Sequence, residues 1–318
     1  MTPERKFPVG ISSCLLGEAV RYDGGHKRDR FLADVLADYV EWVPVCPEVG
    51  AGLGVPREPC RLARAGDDVR MIGNETACDV TDAIRVYAAR EMDRLEPLRL
   101  RGYVLKKNSP SCGMESVPVY GENETPSLDG VGLYARALMD RFPLLPVEDE
   151  GRLNDPRIRE NFIVRLFAYD RWIRLLAARP KPKDIVAFHT QHKMLILAHS
   201  PRHYVALGRL VAKAGAMPMP ELRIEYETGL MTGLREFASR GRHANALEHL
   251  AGFVKESLDR EVKAELHAAI REYRLGHAPL VTPLTLLQRY LVHHRNDWAE
   301  AQVYLEPFPN ELVLRMSM

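Results

Sequence analysis

Short apolar runs alternate with amphipathic stretches through the first half of the chain. Apolar and β-branched runs at Phe7–Ser13, Trp42–Val45 and Tyr103–Lys106 predict strands. Asp79–Leu95 repeats its apolar residues at i, i+3 or i+4 spacing, which predicts a helix. Strands that alternate with helices are typical of a parallel sheet with right-handed crossovers. The pattern therefore predicts an α/β domain with a Rossmann-like parallel sheet.

Weaker patterns add four elements to this half. Two helices, one further strand and a short hairpin are predicted at Arg30–Tyr39, Leu133–Met139, Leu144–Val147 and Val69–Ile72.

The second half of the chain is predicted to be all-α. A long helix that begins at Pro156 closes the first half and ends before the stiff, cationic segment 179–183. Apolar stripes at helical spacing then follow one another as far as His294, and Val303–Val313 is predicted to be extended. The predicted organisation is an α/β domain at 1–178, a linker at 179–183 and a helical domain at 184–318.

Composition and charge narrow the class of protein. The 318 residues are 46% hydrophobic and 27% charged, with 44 Lys and Arg against 43 Asp and Glu. A net charge of +1 argues against a broadly cationic nucleic-acid or membrane binder, but leaves room for a local basic patch. No apolar run reaches the roughly 18 residues of a transmembrane helix, and the first residues lack a signal-peptide pattern. We expect a cytoplasmic protein with no membrane partner and no DNA partner.

Three of the five cysteines share a sequence context. Cys14, Cys46 and Cys112 lie at or just past the ends of predicted strands, 32 and 66 residues apart. Because ligands bind outside the carboxyl ends of parallel strands, we expect these thiols to converge. Cys60 and Cys78 are interpreted as structural thiols. An odd number of cysteines favours metal or catalytic use over a disulfide framework.

Three convergent thiols allow several interpretations. They suit an iron–sulfur cluster with one open iron, a zinc ion with a bound water, a set of inert buried thiols or a cysteine nucleophile. Thiolates without nearby imidazole favour iron–sulfur over zinc, and His26 is the only histidine before residue 184. A nucleophile lacks an obvious histidine base for the same reason.

The segments around these cysteines resemble a known family. Residues 14–25 (CLLGEAVRYDGG), 46–57 (CPEVGAGLGVPR) and 106–113 (KKNSPSCG) resemble the signature segments of the thiouracil desulfidases. Residues 188–200 and 204–208 resemble the helical domain often fused to them. The two-domain arrangement is similar to that of the bacterial tRNA 4-thiouridine desulfidases.

The resemblance implies a cofactor and a reaction. Cys14, Cys46 and Cys112 would bind a 4Fe–4S cluster whose fourth iron has no protein ligand and takes the sulfur of a thiocarbonyl. Water would then replace sulfur at the pyrimidine C4 of 4-thiouridine in tRNA, with no net electron transfer.

Proton handling requires an acid or base beside the open iron. Glu48, two residues after Cys46, is the first candidate, and its alternative role is a loop carboxylate paired with Arg57 or Arg61. Ser109 and Ser111 beside Cys112 are the second candidates. Ser109 is slightly favoured because the turn at Pro110 would bring it toward the same pocket, although either serine could simply cap that turn.

The flanking loops supply candidate substrate-binding residues. Arg21, Tyr22 and Asp23 are candidates for holding the pyrimidine edge or the ribose, although Asp23 and the two glycines after it could simply form a turn. Lys106 and Lys107 are candidates for a phosphate contact at the rim, with at most one of them expected to face inward.

Basic residues on two consecutive predicted helices suggest a surface for RNA. Arg202, Arg209 and Lys213 follow 7- and 4-residue steps and share a face, with Lys193 nearby on the preceding helix. Such a face fits contacts to the phosphates of tRNA, although a solvated amphipathic face is the alternative. Ten of the eleven histidines lie in 184–318, which predicts a polar surface that gains positive charge near neutral pH.

Three functions remain open from the sequence. The first is an iron–sulfur desulfidase that converts 4-thiouridine in tRNA to uridine. The second is a desulfidase of free thiouracil, and the third is a non-catalytic cluster- or zinc-containing RNA-binding module.

Overall fold

In a computed structural model, residues 6–121, 125–294, 296–312 and 314–316 are described, and they divide between two units. The first unit is Met1–Asp155 and the second is Pro156–Met318.

This division corrects the predicted domain boundary at 178 and the predicted linker at 179–183. The helix Pro156–Ala177 belongs to the second unit because its apolar stripe packs there. The ring centroid of Trp172 lies 5.1 Å from that of Tyr226 and 5.4 Å from that of Phe188, both in later helices of the second unit.

The first unit is built on four parallel strands. β1 and β2 pair in register from Phe7 opposite Val40 to Ser12 opposite Val45, and β5 lies on the other side of β1. The spatial order β2-β1-β5-β8 reverses direction at β1 and confirms the predicted parallel α/β sheet. Such a reversal opens a crevice at the carboxyl ends of the strands. The strands are β1 Phe7–Ser12, β2 Val40–Val45, β5 Tyr103–Leu105 and β8 Val147–Asp149.

A second, mixed sheet was only partly predicted. It has the order β4-β3-β6-β7, with β3 antiparallel to β4 and parallel to β6. The predicted hairpin at Val69–Ile72 is one arm of the longer hairpin formed by β3 and β4. The strands are β3 Cys60–Ala65, β4 Asp68–Gly73, β6 Val117–Tyr120 and β7 Ser127–Gly130.

Three α-helices complete this unit: α1 Pro47–Gly50, α2 Thr81–Leu95 and α3 Leu133–Arg141. Where a helix was predicted at Arg30–Tyr39, the chain forms a π-turn at Phe31–Val35 and a 3-10 turn at Leu36–Asp38. The apolar residues of the second sheet pack with α2 and α3 into one buried cluster. Its buried members are Leu62, Met71, Ile84, Val117, Val119 and Leu133.

One glycine permits a close contact within the main sheet. A Cβ atom at Gly10 would collide with the ring of Tyr103 on the neighbouring strand. Tyr103 is fully buried, and its hydroxyl lies 3.2 Å from that of Tyr134 in α3. Gly10 therefore allows an aromatic side chain to fasten β5 to β1 and α3.

The second unit is helical, as predicted. Its helices are α4 Pro156–Ala177, α5 Pro182–His199, α6 Pro201–Ala212, α7 Met219–Arg235, α8 Arg240–Ala251, α9 Arg260–Leu275, α10 Val281–His294 and α11 Asp297–Glu300. The prediction of an extended Val303–Val313 is wrong over 303–312, where the chain forms turns and a 3-10 helix at Asn310–Leu312, and Val313 lies outside the described residues. Buried Tyr304 and Phe308 explain the apolar pattern of this tail, because they contribute to the helical core. Among the described residues, no helix combines the length and the apolarity needed to cross a bilayer.

Candidate active site at the carboxyl ends of the parallel strands

The chain turns sharply just after β1 and buries Cys14. Ser13–Leu16 forms a 3-10 turn that ends at Gly17, whose φ of +101° suits glycine. The Cys14 carbonyl accepts hydrogen bonds from the backbone N–H groups of Gly17 and, at 2.9 Å, Lys27. Burial raises the pKa of the Cys14 thiol to about 11, because a thiolate in this position loses its hydration.

Cys46 follows β2 and precedes the first residue of α1. Its own carbonyl accepts the first helical hydrogen bond from Gly50 at 2.9 Å. Burial raises the pKa of the half-buried Cys46 thiol, while hydrogen bonds from the backbone N–H groups of Val49 and Glu48 act in the opposite direction. These amides at the start of the helix orient toward the sulfur and would favour its thiolate form.

Cys112 lies in a tight loop that follows β5. The Ser109 hydroxyl accepts from the backbone N–H groups of Ser111 at 3.3 Å and Cys112 at 3.1 Å. The Ser109 carbonyl accepts from Gly113 at 2.8 Å. Burial raises the pKa of the Cys112 thiol, and hydrogen bonds from Ser12 and Ser111 partly oppose that shift. Local hydrogen bonds therefore fix this loop at the end of the strand.

The three thiols line one cavity of about 360 Å³, as the sequence predicted. The thiols also interact electrostatically, because the charge of Cys46 raises the pKa of both Cys14 and Cys112. The donor set is all sulfur, because the only histidine of this unit, His26, is exposed and does not line the cavity. Soft thiolates without imidazole suit iron–sulfur chemistry.

Among the described residues, no three His, Cys, Asp or Glu side chains gather closely enough to hold a single metal ion. The donor chemistry, thiolates without imidazole, is what favours an iron–sulfur cluster over a zinc ion in this cavity.

Glu48 occupies the same cavity and has two partners. Its Oε2 accepts from Arg57 at 2.9 Å from Nε and 2.6 Å from an η nitrogen, while its Oε1 accepts from the Ser111 hydroxyl at 2.7 Å. The side chains of Glu48 and Arg57 are only 15% and 7% exposed. Glu48 thus pairs with Arg57, the alternative that the sequence suggested, and also lines the cavity.

The two serines differ in their contacts. The hydroxyl of Ser111, which is 1% exposed, donates to Glu48 and lies 3.6 Å from the Cys112 sulfur. Ser109 lies one step further away, with its hydroxyl 3.0 Å from that of Ser111. Although the sequence slightly favoured Ser109, the structure places Ser111 against the carboxylate and gives Ser109 the turn-capping contacts.

The loop after Cys14 brings two of its three predicted residues to the cavity. Arg21 and Tyr22 line it, and the guanidinium of Arg21 lies 5.3 Å from the centroid of the Tyr22 ring. The Arg21 Nε is buried and makes no hydrogen bond among the described residues, although it lies 3.7 Å from the Asp23 carboxylate. Asp23 does not line the cavity, because its carboxylate accepts from the Gly25 N–H at 3.0 Å and closes the turn.

Both predicted lysines line the cavity, in different surroundings. Lys106 is 17% exposed and pairs with the carboxylate of Glu150, and its charge lowers the pKa of Cys14. Lys107 is exposed, and its backbone N–H donates to the other Glu150 oxygen at 2.7 Å. Lys106 therefore acts beside the thiols, and Lys107 remains at the rim.

Sequence reasoning assigned Cys60 a structural role and missed its position in the cavity. Cys60 begins β3 and lines the cavity, half-buried. Burial, followed by the nearby charge of Glu48, raises its pKa to about 11. Residues 60–65 (CRLARA) show no strict alternation of apolar and polar residues, so the sequence carries no clear signal that would have placed Cys60 at the start of a strand.

The basic residues predicted to contact RNA lie in the second unit. Arg202, Arg209 and Lys213 are exposed on or directly after α6. Lys193 differs because its ammonium lies 4.5 Å from the centroid of the Trp298 ring. Arg209 and Lys213 line a groove whose other side carries Glu221 and Glu225, so its charge is mixed.

Four histidines of the helical unit do not belong to the predicted cationic surface, whereas His267 and His277 are exposed. His189, His192, His199 and His243 are buried. Burial lowers the pKa to about 4 for His189 and His199, to about 3 for His192, and further below its usual value for His243. These four side chains are neutral core residues, because an imidazolium would lose its hydration there.

Comparison with known proteins supports this description of the cavity. Residues 9–150 match the family model described as 2-thiouracil desulfurase, which spans all three cysteines, Glu48 and both serines. The chain belongs to the 2-thiouracil desulfurase family. Residues 193–309 match a second family model, described as a protein of unknown function (DUF1722). The chain therefore combines a thiouracil desulfurase domain with a fused helical domain, as the sequence predicted.

Individual relatives match each part of the chain. The uncharacterized protein YbgA of Escherichia coli is 28% identical over 166 residues, covering 52% of this chain and 98% of YbgA. The uncharacterized protein YbbK of Bacillus subtilis is 34% identical over 108 residues, covering 32% of this chain and 71% of YbbK. A solved structure titled [4Fe-4S]-dependent thiouracil desulfidase TudS is 34% identical, covers 47% of this chain and 95% of its own, and has a TM-score of 0.39. That title names a 4Fe–4S cluster for TudS.

Proposed function

We propose that this protein is a 4Fe–4S-dependent desulfidase that converts 4-thiouridine in tRNA to uridine. The observation that carries the proposal is the meeting of three thiols, from three strand ends, with a Glu48–Ser111 pair in one cavity. The reaction exchanges sulfur for oxygen: water adds its oxygen to C4, the C–S bond breaks, and hydrogen sulfide leaves with both protons.

Cys14, Cys46 and Cys112 would hold the cluster, and the donor chemistry of the cavity fits it. When bound, the cluster supplies a thiophilic Lewis acid that polarises the thiocarbonyl. The backbone amides at the start of α1 and the Ser12 hydroxyl favour the thiolate forms of Cys46 and Cys112. Lys106 supplies the corresponding positive charge beside Cys14.

Glu48 is the group that would move protons. Arg57 holds its Oε2, which leaves Oε1 as the oxygen directed into the cavity. That oxygen can take a proton from the attacking water, and Ser111, which donates to it, would orient the pair. Low exposure of Glu48 and Arg57 keeps bulk water from competing for the same contacts.

Arg21 and Tyr22 would hold the thiopyrimidine. The buried Arg21 Nε has a free hydrogen-bond donor in the described structure, and a pyrimidine carbonyl is a matching acceptor. The Tyr22 ring is 39% exposed at the cavity and offers a face for base stacking. A base in duplex or stacked RNA would have to leave its stack to reach this crevice.

The helical unit supports the choice of an RNA substrate. Its exposed Arg202, Arg209 and Lys213 provide charges for phosphate contacts. We assign the tRNA body to this unit and the modified base to the α/β unit.

The test begins with anaerobic purification of the full chain. We expect about four iron atoms and about four acid-labile sulfides per chain. Alanine at residue 14, 46 or 112 should abolish cluster binding, whereas the exposed Cys78→Ala variant serves as the control and should retain it. The loaded protein should convert 4-thiouridine in isolated tRNA to uridine and release sulfide. A colourless protein with one zinc, or a clustered protein inactive on that tRNA, would contradict the proposal.

Free thiouracil is the second candidate substrate, because the matched family model is described by that base. The same residues would act on it without the helical unit. Turnover of free thiouracil with no conversion of tRNA would select this candidate.

A further inference from the structure

A groove between α8 and α9 carries arginines that none of the roles described so far uses. α8 contributes Gly241, Ala244, Asn245 and Glu248, and α9 contributes His267, Ile270, Arg271 and Arg274. Both sets follow i, i+3, i+4 and i+7, so each forms one face of its helix. The cavity between them has a volume of about 490 Å³.

Small residues keep this groove open. Gly241 and Ala244 form the α8 side of its floor, and the buried Ile270 forms the α9 side. The longer side chains of Arg271 and Arg274 therefore form a cationic wall above an apolar floor. A groove of this kind admits a narrow polar ligand while its guanidinium groups stay at the surface.

The arginines of the groove are available for a ligand. Arg271 and Arg274 are exposed and have no acidic partner within the described part of the chain. Glu248 is the one carboxylate that lines the groove, and its Oε2 lies 2.9 Å from Nδ1 of His267. Glu248 therefore contacts His267, and among the described residues that line the groove its single negative charge stands against two arginines, so the net charge is positive.

Arg240 places a third guanidinium at the C-terminal end of α9. It begins α8, and its guanidinium packs over Gly276, where a Cβ atom would collide with it. Gly276 is the left-handed residue that ends α9, with a φ of +89°. Glycine at this position thus serves both the helix end and the placement of Arg240.

The groove between α6 and α7 differs in its charge. There, Arg209 and Lys213 face Glu221 and Glu225, which carry an equal number of negative charges. A polyanion would be repelled by one side of that groove and attracted by the other. The α8–α9 groove differs because its described lining carries one carboxylate, Glu248, against two arginines, which leaves a net positive charge.

We propose that the α8–α9 groove binds the phosphodiester backbone of the RNA substrate. This inference rests on the proposed function, because it assumes that the helical unit contacts RNA. Guanidinium groups bind phosphate oxygens through paired, charge-assisted hydrogen bonds, and Asn245 can donate to a phosphate or sugar oxygen. The contacts would be independent of base sequence.

The experiment measures tRNA affinity of the full chain between 50 and about 200 mM salt. The double variant Arg271→Gln, Arg274→Gln should bind at least about tenfold more weakly at the lower salt. Its plot of log affinity against log salt should flatten by about 0.7–0.9 for each arginine removed. The matched control is Arg260→Gln, an exposed arginine on α9 outside the groove, and it should keep the original affinity and slope.

The outcomes separate this inference from the proposed function. If the unsubstituted chain binds and converts tRNA but the double variant keeps its affinity and slope, the groove inference is wrong and the proposed function stands. An equal loss in Arg260→Gln also overturns it, because the attraction would then be spread over the surface. If the unsubstituted chain does not bind tRNA, the tRNA substrate and the groove inference both fail.

Discussion

The two carboxylate oxygens of Glu48 have different hydrogen-bond partners. Arg57 holds one oxygen and also donates to the carbonyls of Gly54 at 2.7 Å and Val20 at 3.0 Å. One guanidinium therefore links the carboxylate to two loops that border the cavity. The other oxygen keeps the Ser111 hydroxyl as its partner, and it is the atom that can exchange a proton with a substrate.

Replacement of Glu48 by glutamine tests this division. Gln keeps one oxygen that can accept from Arg57, but it presents an NH₂ donor toward Ser111 and cannot take a proton, so we expect kcat to fall by about 10²–10⁴-fold. Iron and sulfide content should stay unchanged, since no cysteine is altered. Loss of the charge beside Arg57 should lower the free energy of unfolding by about 1–3 kcal/mol. Glu41→Gln, an exposed residue of β2, is the control, and an equal loss of kcat in it would contradict the assignment.

Alanine substitutions of the two serines near Cys112 should have different effects on kcat and on stability. Ser111→Ala removes the donor to Glu48, so we expect a loss of kcat of at least about tenfold with little change in stability. Ser109→Ala removes the acceptor of two backbone N–H groups, so we expect a free energy of unfolding lower by about 1–3 kcal/mol and a smaller loss of kcat. Measurements of kcat and of chemical unfolding on both variants decide the matter. A larger loss of kcat in Ser109→Ala than in Ser111→Ala would make Ser109 the catalytic candidate.

At the scale of elements, the site depends on how the loop after β5 meets α3. Gly132 precedes α3, and a Cβ atom built on it would lie 2.5 Å from the Ser111 carbonyl. The backbone of Gly132 also donates to the Gly113 carbonyl at 2.8 Å. The helix can approach the cysteine loop this closely only because residue 132 has no side chain.

Gly132→Ala should therefore disturb the loop that carries Cys112. We expect the free energy of unfolding to fall by about 1–3 kcal/mol and the iron content per chain to fall with it. Thermal unfolding and iron analysis of the same preparation measure the two effects. Gly121→Ala is the control, because no atom of the described residues lies within 4 Å of its added Cβ atom. Full iron content in Gly132→Ala would show that the loop tolerates the shift.

The sequence predicts some of these elements because their signal is local. The strands before Cys14, Cys46 and Cys112 are apolar runs, and parallel topology alone brings their ends together. The second sheet escapes prediction because β6 and β7 have four residues each and β6 pairs with β3, some 55 residues away. The local pattern of apolar and polar residues does not show which distant strand pairs with β6.

The same limit explains the misplaced boundary and the choice of serine. The apolar stripe of α4 shows that the helix packs on something, but not that its partner is α7. The serine question depends on which hydroxyl meets Glu48, 63 residues before Ser111. Buried histidines on α5 and α8 were likewise mistaken for surface residues, because residue type alone does not show burial.

At the scale of the whole molecule, the two units combine different chemistries. The α/β unit holds an all-sulfur donor set, an acid–base pair and a free Arg21 donor in one cavity. The helical unit offers exposed arginines over a core that contains neutral imidazoles. Under the proposed function, the α/β unit would accept the base and the helical unit would hold the RNA backbone.

The buried imidazoles of the helical unit make its stability depend on pH. His199 donates from Nδ1 to the Glu236 carbonyl at 2.7 Å, and His192 donates to the Phe188 carbonyl at 2.8 Å, both as neutral rings. Their folded-state pKa values lie below the ordinary 6.5, so below that pH the unfolded chain binds more protons. Stability is therefore retained above pH 6.5 and lost as the pH falls toward 4. Each such group contributes up to about 1.4 kcal/mol per pH unit in this window.

Calorimetry of the full chain between pH 7 and pH 5 should show this loss as a falling unfolding temperature. His192→Phe should reduce the slope by the share of one histidine, because a phenyl ring can keep the 3.8 Å stacking on Phe188 without binding a proton. His267→Gln, at an exposed position outside the helical core, is the control and should leave the slope unchanged. Carboxylates with lowered pKa values, such as Glu236, lose their contribution only at lower pH and do not enter this window. An unfolding temperature that stays constant from pH 7 to pH 5 would contradict this prediction. It would mean that the imidazoles bind protons in the folded chain, which requires the helical core to open locally.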